Sequence, residues 1–66
     1  MKKYTVFKSE NRGRFLISAY DYYISENGTL NFIKKEGEII YTTASFSQGY
    51  WENVVEGDVK FETEVQ

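Results

Sequence analysis

The side chains of this chain that could do chemistry are few and narrow in kind. Histidine and cysteine are both absent. A nucleophile–base pair needs a base near neutral pKa, most often His. Ser9, Ser18 and Ser45 are available as nucleophiles, but none sits in a motif that would activate it. Glu36/Glu38 and Glu62/Glu64 are spaced so that each pair shares one face of a strand. Paired carboxylates cleave glycosides only inside a groove that holds a sugar chain. A chain of 66 residues has little depth for one, so these read as solvated edge or turn charges. With carboxylates the only strong metal ligands, a structural zinc site is ruled out. No catalytic residue and no cofactor is expected, and function is expected to come from binding.

Two stretches suit binding. Asn11-Arg12-Gly13-Arg14 is a basic turn that could reach a phosphate, although it lacks a glycine-rich run and a following helix. Arg12 and Arg14, with Tyr20 and Tyr22, form a candidate surface for single-stranded nucleic acid, where bases stack on aromatic rings beside cations. Tyr4, Tyr23, Lys34 and Lys35 belong to the same basic half. Against this stand a net charge of −2 and a pI near 5.0, where nucleic-acid binders usually show a dominant basic stripe. The more singular stretch is Phe46-Ser47-Gln48-Gly49-Tyr50-Trp51. Trp and Tyr dominate binding hot spots, while a small core has structural use for its single Trp. Alternation points Trp51 inward and leaves Tyr50 the better exposed.

Charge is split along the chain. Through Lys35 there are seven basic and three acidic residues; from Glu36 onward there are one and seven. Either the halves neutralise each other across a sheet, or an acidic face meets a basic partner. In the second reading Tyr50 and Trp51 make the contact, and Glu52, Glu56, Glu62 and Glu64 set partner choice by charge.

The elements that must position these residues read as strands. Proline is absent, and the five glycines fall where turns are expected. Asn27-Gly28 is the strongest hairpin signal, as both central positions of a type I′ turn need positive φ. Lys34-Lys35-Glu36-Gly37 suits a type I turn closed by a glycine bulge. Strands are expected over Lys3–Lys8, Arg14–Tyr20, Asp21–Ser25, Thr29–Lys34, Glu38–Ser45 and Trp51–Val55. A last one, Val59–Val65, alternates cleanly. Gln48–Glu56 has room for one helical turn at most. The expectation is a single all-β domain over 1–66, a small barrel or curled antiparallel meander of about five to six strands.

So short a chain buries roughly 60% of its unfolded surface and needs a staple. Without disulfides, aromatic packing and a homodimer are expected to supply it. The last strand, with Glu62 and Glu64, is the expected edge. No run of apolar residues is long enough for a membrane-spanning helix. No signal peptide follows Met1-Lys2-Lys3-Tyr4, and a complete, cytoplasmic gene product is expected.

Ala19-Tyr20-Asp21-Tyr22, Glu26-Asn27-Gly28-Thr29-Leu30-Asn31-Phe32, Gly37-Glu38 and Phe46-Ser47-Gln48-Gly49-Tyr50-Trp51-Glu52-Asn53-Val54 together resemble small uncharacterised proteins of bacteriophages. These share a dipeptide hairpin followed by an aromatic–glycine–tryptophan turn. The resemblance covers residues 19–55, rests on turn chemistry and assigns no catalytic residue. It implies a stand-alone protein that binds and disables or redirects host machinery, including antiviral defence. A small nucleic-acid-binding barrel and a minor structural or assembly component are the alternatives.

Overall fold

A computed structural model of the chain describes residues 1–57. Among these residues there are six strands, β1 (Lys2–Lys8), β2 (Arg14–Ala19), β3 (Asp21–Ile24), β4 (Leu30–Glu36), β5 (Ile39–Phe46) and β6 (Trp51–Glu56), and one 3-10 turn, Ser9–Asn11. Each follows a run rich in β-branched and aromatic residues, which fit a pleated, half-buried surface. The expected last strand, Val59–Val65, lies outside the described residues.

The strands form two antiparallel sheets, ordered β2-β1-β6 and β3-β4-β5. Only Tyr20 separates β2 from β3, so one extended run turns a corner from the first sheet into the second. The Tyr20 N–H donates to the Ile33 carbonyl at 2.8 Å and holds that corner to β4. The meander expectation holds for β3–β5, but the barrel does not form. After β5 the chain turns tightly, the Tyr50 N–H donating to the Ser47 carbonyl at 3.0 Å, and β6 joins β1 instead of β5. Closure would need a β5–β6 ladder with the stagger a barrel demands. An isolated bridge between Gln48 and Trp51 stands in its place.

The Asn27-Gly28 turn is correct in position and different in type from the expectation. The turn expected at Lys34-Lys35-Glu36-Gly37 moves to Gly37-Glu38, because Lys34, Lys35 and Glu36 continue β4 and pair with β5. The residues with two successive positive φ values are Glu10 (61°) and Asn11 (58°), and the Arg12 N–H closes that turn on the Ser9 carbonyl at 3.3 Å. Type I′ geometry therefore sits in the β1–β2 hairpin. At Asn27-Gly28 only the glycine has positive φ, 86°. The Gly28 N–H reaches the Ser25 carbonyl at 2.9 Å, making a three-residue loop of Glu26, Asn27 and Gly28. Gly37, φ 64°, opens a two-residue loop with Glu38, since Glu36 pairs directly with Ile39. Packing decides the first of these. A two-residue loop at Asn27-Gly28 would shift β3 by one residue and flip its faces. The longer loop sets Tyr22 opposite Phe32, where its ring joins the core.

That core lies between the sheets. Tyr4 and Val6 of β1, Ala19 of β2, and Leu30 and Phe32 of β4 are buried, with Ile17, Tyr22, Ala44, Phe46, Trp51 and Val54 packed around them. Tyr4 meets Tyr22 edge-on at 5.3 Å and Phe32 at 5.5 Å, and Phe32 meets Phe46 edge-on at 6.2 Å. Such offset aromatic pairs add about 0.5–1.5 kcal/mol each beyond their buried area. Buried Asn31 is satisfied: its amide donates to Ser25 Oγ and the Thr29 carbonyl, both at 3.1 Å, and its Oδ1 accepts from Ser45 Oγ at 2.8 Å. This network ties β5 to the β3–β4 loop.

Candidate protein-binding surface

The turn between β5 and β6 is fastened from three sides. The Trp51 indole N–H donates to the Gly28 carbonyl at 3.1 Å, drawing the half-buried ring towards the β3–β4 loop. The Tyr50 carbonyl accepts from the Ser9 N–H at 3.1 Å, while its own N–H is engaged by Ser47. Gly28 lies so close beneath Gln48 that an added Cβ would sit 3.0 Å from its side chain. The Tyr50 backbone is thus fixed, and its side chain, at 66% exposure, points away from the protein. Tyr50 and Trp51 divide the work as alternation suggested, one outward and one inward.

Beside Tyr50 runs an open groove of about 380 Å³, lined by Lys8, Phe15, Ser45, Phe46, Ser47 and Tyr50. Its floor is an aromatic pair, Phe15 and Phe46, with ring centres 5.5 Å apart. Lys8 Nζ stands 4.8 Å from the centre of the Phe15 ring, a cation–π contact that holds the ammonium at the rim. Ser45 and Ser47 add polar groups at the β5 end. Lys8 and Phe15 escape notice in the sequence, and Phe46 is noticed only as part of the Phe46–Trp51 stretch. They come from three strands of two different sheets and meet only because the sheets are stacked.

Glu52 is the extra residue of a bulge, since Lys8 pairs with Trp51 and Phe7 with Asn53. It lines a second, neighbouring depression of about 480 Å³ with Phe7, Lys8, Asn11, Gly13 and Asn53. Bulges re-aim side chains, and this one places an exposed carboxylate near Tyr50. Glu56 is exposed further along β6, opposite Tyr4. Glu62 and Glu64 lie outside the described residues.

The residues singled out for nucleic acid do not form one face. Arg12 pairs with Glu10 at 2.9 Å. Arg14 opens β2, opposite Phe7, whereas Tyr20 follows its far end. Tyr20 takes Lys35 over its ring at 5.5 Å. Tyr22 is packed among Tyr4 and Phe32. The ion pair of Glu10 with Arg12 also joins two residues of the same basic half, so it does nothing to neutralise one half against the other.

Ser45 is engaged with Asn31, Ser9 opens the 3-10 turn after β1, and Ser18 is exposed on β2. Glu36 ends β4 and Glu38 sits in the two-residue loop after it, so the expected sharing of one strand face does not occur: the chain reverses between them. Among the described residues no group of three or more carboxylates could hold a metal ion, and no helix is long and apolar enough to cross a membrane. No protein-family model matches the chain, and neither a curated protein nor a solved structure is found similar to it.

Proposed function

We propose that the chain is a protein-binding module that acts by occupancy, without catalysis, through the groove at Tyr50. The observation that carries this reading is a largely exposed aromatic ring on a backbone fixed from both sides. A rigid aromatic loses little conformational entropy on binding, which favours it as an anchor. The groove suits an apolar side chain of the partner laid across Phe15 and Phe46, with its flanking polar groups on Ser45 and Ser47. Glu52, and Glu56 further along the same strand, favour basic residues beside that anchor and speed encounter with a basic surface. The likeness of the turn motifs to small phage proteins makes the partner a host protein in the cytoplasm, blocked or redirected by the complex.

The test is capture from a bacterial lysate, read by mass spectrometry, with the wild-type chain and with Tyr50→Ala. An exposed side chain can be removed without disturbing the fold, so the two baits differ only at the groove. The expectation is a specific protein enriched on the wild type, bound about thirtyfold less tightly by the variant, as for a hot spot of about 2 kcal/mol. Equal enrichment by both baits, or none by either, overturns the reading. A cation beside exposed rings is also what a base-stacking platform uses. Fluorescence polarisation with labelled single strands at low salt separates that second reading: saturable binding abolished by Lys8→Glu would favour it.

A further inference from the structure

The second sheet ends in a strand that carries none of the usual protection along its side chains. An edge strand exposes a row of unpaired N–H and C=O groups, and native proteins blunt such edges with charge, proline, shortness or a bulge. Among the described residues there are four edges, β2 and β6 in one sheet and β3 and β5 in the other. β6 carries Glu52 and Glu56, β2 begins with Arg14, and β3 is four residues long and begins with Asp21. β5 is the longest strand, eight residues of sequence IIYTTASF, with no charge, glycine or proline. Its one irregularity is a shift against β4 that leaves Thr43 without an opposite residue. Before that bulge, Ile39, Ile40 and Tyr41 are 66%, 57% and 42% exposed. Both faces of this stretch are therefore open to solvent, and among the described residues nothing pairs with its edge.

We infer that β5 pairs with β5 of a second copy of the chain, antiparallel, making one six-stranded sheet across a two-fold axis. The occupant follows from the strand's own chemistry. A two-fold contact must be self-complementary, and a charge-free strand meets its copy without like-charge repulsion. Antiparallel strands related by a two-fold perpendicular to their sheet set one residue against itself. With the axis at Tyr41, the tyrosines of the two copies face each other, and Ile40 of each copy faces Thr42 of the other. These are aromatic and β-branched pairs, which stabilise sheets. A heterologous partner would have no charge on β5 by which to be chosen. The core supplies the complementary argument: among the described residues five hydrophobic ones are fully buried, while ten large ones are exposed, and a domain this small gains from burial by association. The pairing is independent of the Tyr50 groove, which lies at the other end of β5.

The experiment uses the full chain in sedimentation velocity over a concentration series, with Tyr41→Lys and Tyr41→Glu beside the wild type. Circular dichroism and thermal melts establish that each variant is folded. The wild type is expected to dimerise, and either variant to weaken self-association about tenfold or more, since like charges meet on the axis. An equimolar mixture of the two variants is expected to recover the dimer as a mixed pair, which no loss of folding can mimic. A monomeric wild type at several hundred micromolar overturns the inference. A dimer indifferent to both substitutions, or folded variants that fail to pair when mixed, overturns it as well. Partner capture by Tyr50 is read separately, so neither result decides the other.

Discussion

Tyr4 is 2% exposed, and burial, which disfavours the phenolate, raises its pKa above the ordinary value of 10.0. Asp21, Glu56 and Tyr22 push in the same direction, and Lys2 opposes them. The folded chain thus holds this proton more tightly than the unfolded chain. The stability it contributes is fully present below pH 10.0 and declines as pH rises through the folded-state pKa. Urea unfolding is expected to give a midpoint that falls above pH 10.0. Tyr4→Phe should flatten that fall. An identical alkaline slope in the variant would contradict the assignment. At the same scale, Glu10 and Asn11 occupy a left-handed conformation that costs a non-glycine residue about 1–2 kcal/mol. Nothing in the composition of Ser9-Glu10-Asn11-Arg12 announces that cost. It follows from the need to reverse direction between two strands whose register is set by the core.

Among the elements, the β3–β4 loop and the β5–β6 turn form one unit. Gly28 accepts the Trp51 N–H through its carbonyl and leaves room for Gln48 through its missing side chain. Gly28→Ala meets two penalties, a positive φ of 86° and a Cβ 3.0 Å from Gln48. It is expected to destabilise the fold by about 1–2 kcal/mol. Adding Gln48→Ala removes Cγ and Cδ but keeps the Cβ at 3.1 Å. It should therefore recover part of the steric share and leave the backbone share, and a double-mutant cycle in urea should show coupling. Strict additivity would mean the two side chains do not compete for that space. The strands themselves were largely legible: runs such as Lys3–Lys8 and Trp51–Val55 fall within a residue or two of β1 and β6. The turn types were not. Both glycine hairpins have sequences compatible with more than one loop length, and only the partner strands choose between them.

For the whole molecule, stability rests on a thin layer. Phe32 is fully buried and touches Tyr4, Tyr22 and Phe46, so it joins β1, β3 and β5 through one side chain. Phe32→Ala is expected to cost about 3–5 kcal/mol. A domain of this size holds only about 0.05–0.15 kcal/mol per residue, so the variant should be mostly unfolded at room temperature by circular dichroism. A cooperative melt close to that of the wild type would show that the sheets hold together without the aromatic layer.

Hydrophobic alternation, turn residues and the lack of His and Cys are local properties, and they sufficed to place six strands and to leave no nucleophile–base pair to propose. Tyr50 outward and Trp51 inward is also a local inference, alternation carried one residue back from the start of β6 into the turn. Whether the sheet closes is not local. It depends on whether β6 meets β5 or β1, and pairing with β1, far away in the chain, is the outcome. The stacking of the two sheets then brings Lys8, Phe15 and Phe46 to Tyr50. It also leaves β5 at an edge. Residue spacing governs which way a side chain points, but the meeting of two sheets governs what it points at, and that second choice makes the groove.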